Sequence, residues 1–184
     1  PQVAGAIMAT IANMETRLQT ATGCSELAHR SALISPGNED GGVTTVVEKA
    51  LGGIYKAGRS PISGVLAYGE ELKGPGLYLL DCVGHDGEAV TGLVASGCQL
   101  VAFTTGRGTP AGFSGVPVVK ITGNSATYQR MRFNIDFNAG GVIDGLSIAD
   151  AGSELLGLIK RVASGEPARA EMLLHNELFC VTRV

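Results

Sequence analysis

The 184-residue chain has no apolar run of the ~18–20 residues that a membrane span needs, so no membrane partner is expected. Nor has it a basic excess: 14 Lys and Arg stand against 17 Asp and Glu, a formal net charge of −3. A general nucleic-acid binder would show a basic footprint, and nucleic acid is likewise not expected as a partner. Cysteines are few. Cys24, Cys82, Cys98 and Cys180 contain no C-x-x-C pair and no zinc spacing, and Cys82 and Cys98 stand in apolar surroundings that suit reduced structural thiols. No signal-peptide pattern is visible, so a reducing, cytoplasmic compartment is expected. No internal repeat and no low-complexity linker occur. The first residues, from Pro1, already read as helix interior without an initial methionine, and the expectation is a piece of a longer protein.

What is present is a globular composition on the apolar side, 45% hydrophobic and 17% charged, with 27 glycines scattered between apolar runs. That distribution predicts many tight loops rather than disorder. Strand and helix patterns alternate, which predicts an α/β fold, a three-layer sandwich with a mostly parallel, Rossmann-like sheet. One domain over residues 1–184 is expected.

Val3, Ile7, Met8, Ile11, Met14 and Leu18 recur at helical spacing and predict a packing helix over residues 2–20, with Gly23 as its stop. Residues 31–45 read as a long loop that feeds a helix through Thr45 and Glu48, a capping-box pair. That helix, over residues 45–57, has Val47, Leu51, Ile54 and Tyr55 as its apolar set. Lys49 lies in its first turn, where a positive charge opposes the helix dipole. Strands are predicted at 62–68, 77–83, 100–103 and 116–121, and helices at 88–96, 125–133, 147–163 and 168–175. Residues 177–184 read as a strand or a docked arm. The strand, loop, helix and strand over 77–103 should place its two strands parallel, and so bring the loop at 84–87 beside the one at 104–110.

The second of those loops is the most informative stretch. An apolar run ends abruptly in Phe103-Thr104-Thr105-Gly106-Arg107-Gly108-Thr109-Pro110. Small residues let the backbone approach a ligand, and amides beside a guanidinium suit a carboxylate or phosphate. The Gly84-His85-Asp86-Gly87 loop offers a metal ligand or a base with its partner, or equally a surface turn. His29 and His175 have no recognisable partner in the sequence and are read as non-catalytic.

Several of these phrases, taken together, resemble the carboxyl-terminal catalytic region of the altronate and galactarate dehydratase family. They are Ser35-Pro36-Gly37-Asn38, Gly41-Gly42, Glu48-Lys49-Ala50-Leu51-Gly52, Gly69-Glu70 with Leu72-Lys73, the 103–110 stretch, Val116-Pro117-Val118-Val119-Lys120-Ile121 and Ile135-Asp136-Phe137-Asn138-Ala139-Gly140. They are collinear from about Ser35 to the last helix. Family members are much longer, and within the 84–87 loop Asp86 fits the pattern better than His85.

The resemblance implies a lyase that removes water from a sugar acid to give a 2-keto-3-deoxy acid, with iron(II) or manganese as cofactor. A related branch removes sulfite from sulfolactate, and a non-catalytic ligand-binding or assembly domain is the other reading. The implied partners are the sugar acid, the amino-terminal part of the same enzyme and a second copy in a homodimer. Arg107, with the amides of Gly106, Gly108 and Thr109, is the expected carboxylate clamp, and Thr104 and Thr105 would hold substrate hydroxyls. Asn38, Gly41 and Gly42 would close over the other end of the substrate. Lys49, Asp86 and Lys120 are the candidate proton-transfer or metal-shell groups, while the main metal ligands stay unassigned.

Overall fold

The computed structural model describes residues 1–22, 34, 36–40, 43–82, 84–177 and 179–180. Gly23, Cys24, His29, Gly41, Gly42 and the last four residues of the tail lie outside the described residues. The chain forms two compact units, one within residues 1–82 and one within residues 83–181.

The first unit contains helices α1 (Gln2–Thr22), α2 (Pro36–Asp40) and α3 (Val46–Lys56) and the parallel strands β1 (Ile62–Leu66) and β2 (Leu77–Leu80). Helix α1 packs on β1. Its Arg17 donates through Nη2 to both carboxylate oxygens of Asp81 at 2.7 Å. Asp81 also donates its backbone N–H to Leu66, and β2 stops at Leu80 rather than running on to 83 as its apolar pattern predicts. Part of the expected 31–45 loop is helical, because Pro36 suits a first helical position and Glu39 lies in the first turn. The capping box of α3 is present in full: Thr45 Oγ1 accepts the Glu48 N–H, and the Glu48 carboxylate accepts the Thr44 and Thr45 N–H groups. The apolar stripe of α3 faces solvent. Val47, Leu51 and Ile54 are exposed, and Tyr55 is 82% exposed.

The second unit is a three-layer arrangement. Strands β3 (Val101–Thr104), β4 (Val118–Thr122) and β5 (Phe137–Asn138) form a parallel sheet in the order β3-β4-β5. Alternating residues of β4 point to opposite faces. Val118 packs with Val101 and with Val90 of helix α4 (Asp86–Ala95), whereas Val119 and Ile121 pack with Val162 of helix α6 (Ile148–Ala163). All five β4 residues are buried, as a strand covered on both faces requires. Helix α5 (Ser125–Arg130) follows β4, and helix α7 (Arg169–Met172) follows α6.

The sheet pairing differs from the expectation in one respect. Strand β2 pairs with β1, and β3 pairs with β4 instead of with β2. The fully buried run around Val119 takes the central place, while β3, with Ala102 and Thr104 exposed, suits an edge. The described residues of the tail dock on this unit: Glu177 bridges antiparallel to Phe113, the Phe179 ring lies 6.4 Å from that of Phe113, and the Cys180 N–H donates to Thr91 Oγ1 at 3.1 Å.

Candidate functional site

Helix α4 runs back against β3, so its amino end lies toward the carboxyl end of that strand, where open α/β sheets bind ligands. There residues 85–87 and 109–112, with His175 and Glu177, line an open cavity of about 710 Å³. The two loops singled out in the sequence thus meet, although the strand pairing expected to bring them together is absent.

The 103–110 stretch divides its work. Its first part turns toward α5: Thr127 Oγ1 donates to the Gly106 carbonyl at 2.9 Å, and Arg130 Nη2 donates to the Arg107 carbonyl at 3.2 Å. Gly108, at φ +90°, donates its N–H to Thr105 Oγ1 at 3.0 Å. A Cβ there would run into Met131 and stand 3.2 Å from Thr127. The Arg107 and Thr104 side chains are exposed, and neither residue lines the cavity. The second part, Thr109 and Pro110, enters the cavity wall with Ala111 and Gly112. Thr109 is buried and its Oγ1 accepts the Ala111 N–H at 3.2 Å.

Lys120 explains how this wall is held. It is the one charged residue in β4, wholly buried. Its Nζ donates to the carbonyls of Pro110 at 3.2 Å and Ala111 at 3.0 Å. Burial holds its pKa below the usual lysine range, against the opposing effect of the Asp136 charge. Asp136 Oδ2 accepts the Lys120 backbone N–H at 2.7 Å, and Oδ1 accepts the Arg169 N–H at 2.7 Å. Burial pushes the Asp136 carboxyl up in spite of these two donors and the Lys120 charge. One buried network therefore ties β4, the approach to β5, the start of α7 and the cavity wall.

Of the residues expected to carry chemistry, Asp86 and Thr109 share the cavity. Lys120 stands behind its wall, and residues 104–108 lie on the adjoining α5 side. Asn38, in α2, and Lys49, in α3, belong to the first unit. His175 and Glu177 are cavity residues that the sequence reading passed over. His175, read as partnerless, has its Nδ1 3.1 Å from the Pro110 carbonyl oxygen. Its sequence neighbourhood carries no motif, and only the fold brings it 65 residues back to Pro110. As for a metal, no group of three or more His, Cys, Asp or Glu among the described residues could hold an ion. The described residues do not fit a complete metal cage.

The family model for D-galactarate/altronate dehydratase, C-terminal, matches residues 1–184. Altronate dehydratase of Escherichia coli (strain K12) is 46% identical over 144 residues, 78% of this chain and 29% of the relative. Galactarate dehydratase (L-threo-forming) of the same organism is 41% identical over 152 residues, covering 81% of this chain and 29% of that protein. The (2R)-sulfolactate sulfo-lyase subunit beta of Chromohalobacter salexigens is 40% identical over 150 residues, 80% of this chain and 38% of the relative. The chain thus spans between about a quarter and two-fifths of these relatives, and with its whole length matched it belongs to the D-galactarate/altronate dehydratase family, in the C-terminal part that the family model describes.

Proposed function

We propose that the protein to which this chain belongs is a hydro-lyase that removes water from a sugar acid, altronate or galactarate or a close analogue, leaving a 2-keto-3-deoxy acid. The observation that carries this reading is the full-length family match, joined to a cavity at the carboxyl edge of a parallel sheet. The reaction takes a proton from the carbon next to a carboxylate and expels a hydroxyl from the following carbon. Such a site needs a proton acceptor, a holder for the carboxylate and a donor for the leaving hydroxyl. Asp86 and Thr109 are suited to contact the reacting part of the substrate within the cavity.

The exposed Arg107 guanidinium is suited to bind an acid group bidentately, whereas the Gly108 amide, expected to join it, is held by Thr105 Oγ1. The Arg130 guanidinium at the Arg107 carbonyl adds positive charge to the same loop. Lys120 acts in this reading as a positioning residue for the cavity wall. The whole enzyme uses iron(II) or manganese, whose main ligands come from outside the described residues, works in the cytoplasm and pairs as a homodimer.

A second reading rests on the sulfo-lyase relative, whose identity to this chain is close to that of galactarate dehydratase. The chain would then serve a sulfo acid, with sulfite as the leaving group. Both readings use an anion clamp, and an Arg107→Lys variant of the full-length enzyme tests it. A fork becomes a point charge, so KM for the sugar acid should rise about tenfold or more. Unchanged kinetics would remove Arg107 from the site.

A further inference from the structure

Helix α7 ends in a way that singles out His175. The His175 N–H donates to the Ala170 carbonyl at 2.8 Å and the Leu174 N–H to the Glu171 carbonyl at 3.0 Å, the paired bonds of a Schellman cap. Two other helices of the unit close in the same manner. Helix α4 does so with Gly97 at φ +99° and α6 with Gly165 at φ +104°. In α7 the left-handed position is held by Leu174, at φ +57°, among the described residues the one non-glycine with positive φ. That conformation is strained for a residue with a Cβ, and strain of this kind collects at functional sites. Leu174 is 75% exposed, so packing of its side chain does not account for it. What the cap achieves is the placement of His175 against Pro110 and in the cavity wall. Gly112 shows how close the fit is, since a Cβ there would run into the His175 carbonyl oxygen.

The 3.1 Å contact with Pro110 bears on which ring nitrogen carries the proton. A carbonyl oxygen can only accept, so Nδ1 must be the N–H, and in the neutral ring Nε2 is then bare. Pro110 O is itself fixed by Lys120 Nζ, which fixes the ring in turn. Among the described residues Nε2 makes no hydrogen bond. We infer that His175 is the proton acceptor of this cavity, presenting an unprotonated Nε2 to the carbon acid. This rests on the dehydratase reading. The C–H bond next to the carboxylate breaks, its proton passes to Nε2, and its electron pair forms the C=C bond of the enol. The C–O bond of the next carbon breaks, and the departing hydroxyl takes a proton and leaves as water. The imidazolium returns to neutral by giving up its proton, and the enol takes up a proton at carbon and loses its hydroxyl proton to become the keto acid. No net oxidation occurs and no co-reactant is required.

The test uses the full-length enzyme selectively labelled with ¹⁵N-histidine, with the His175 resonances assigned by their loss in His175→Asn. At neutral pH, Nδ1 should carry the proton and Nε2 should be bare; an Nε2–H tautomer or a doubly protonated ring overturns the inference whatever the substrate. His175→Asn keeps an amide N–H near the Nδ1 position and removes the base. Its kcat on the sugar acid should fall by ~10²–10⁴-fold with KM within about threefold. A variant within about threefold of wild-type kcat overturns the inference while leaving the dehydratase reading intact. A wild-type enzyme that releases keto acid from no sugar acid overturns both.

Discussion

At the scale of single residues, the cavity wall depends on a backbone oxygen. Pro110 O receives Lys120 Nζ from behind and the His175 ring from the α7 side. Lys120→Met would remove the Nζ donor from the Pro110 and Ala111 carbonyls. Losing these hydrogen bonds from a charged donor should cost roughly 1.5–3 kcal/mol, to be read from urea or thermal unfolding. Leu174→Gly should act in the opposite direction. Relief of the left-handed strain exceeds the added flexibility of glycine, and stability should rise by about 0.5–1 kcal/mol. An unchanged or lower midpoint would mean that Leu174 is not strained there. Of these residues the sequence marked Lys120, through the Val116–Ile121 motif that carries the family resemblance. It could not mark His175. A Schellman cap with leucine in place of glycine has no local signal, and the partner Pro110 is remote in sequence.

At the scale of elements, the helix starts were the most legible feature, because capping is local chemistry. The Glu48 carboxyl is held below the ordinary carboxylate range, first by the Thr44 N–H and hydroxyl and also by the Thr45 N–H, with burial opposing weakly. A carboxyl depressed in the folded state contributes stability that is full above its unfolded value and is lost as pH falls through the folded one. Glu48→Gln should therefore flatten the acid side of the stability–pH curve while changing little in alkaline solution. Thr45→Ala should cost about 1 kcal/mol through the lost cap. Helix faces were less legible. The α3 stripe has good helical periodicity, yet it is exposed in this chain. Ile54→Gln should accordingly shift the stability of the 184-residue chain by less than about 0.5 kcal/mol, where a core isoleucine would cost several times more. Strand pairing was not legible either. Order in a parallel sheet is decided by which strand can be buried on both faces, and that is a comparison among strands rather than a property of one.

At the scale of the whole molecule, the chain corresponds to 29% of either Escherichia coli dehydratase and 38% of the sulfo-lyase subunit. The family was legible because collinear motifs run along most of the chain. The choice of leaving group was not, since the loops carrying those motifs suit a carboxylate in either reaction. The cavity supplies a carboxylate, hydroxyl and imidazole side chains and a nearby guanidinium, but no complete metal cage among the described residues.

The central claim is loss of water from a sugar acid by way of an enol. Its most direct test is to give the full-length enzyme, supplied with iron(II), altronate, galactarate and sulfolactate in D₂O and to analyse the first products by mass spectrometry. The account predicts a 2-keto-3-deoxy acid from one of the sugar acids, carrying one solvent deuterium on the new methylene carbon, and no sulfite from sulfolactate. Sulfite release without turnover of either sugar acid, or a keto acid with no deuterium at that carbon, would contradict it.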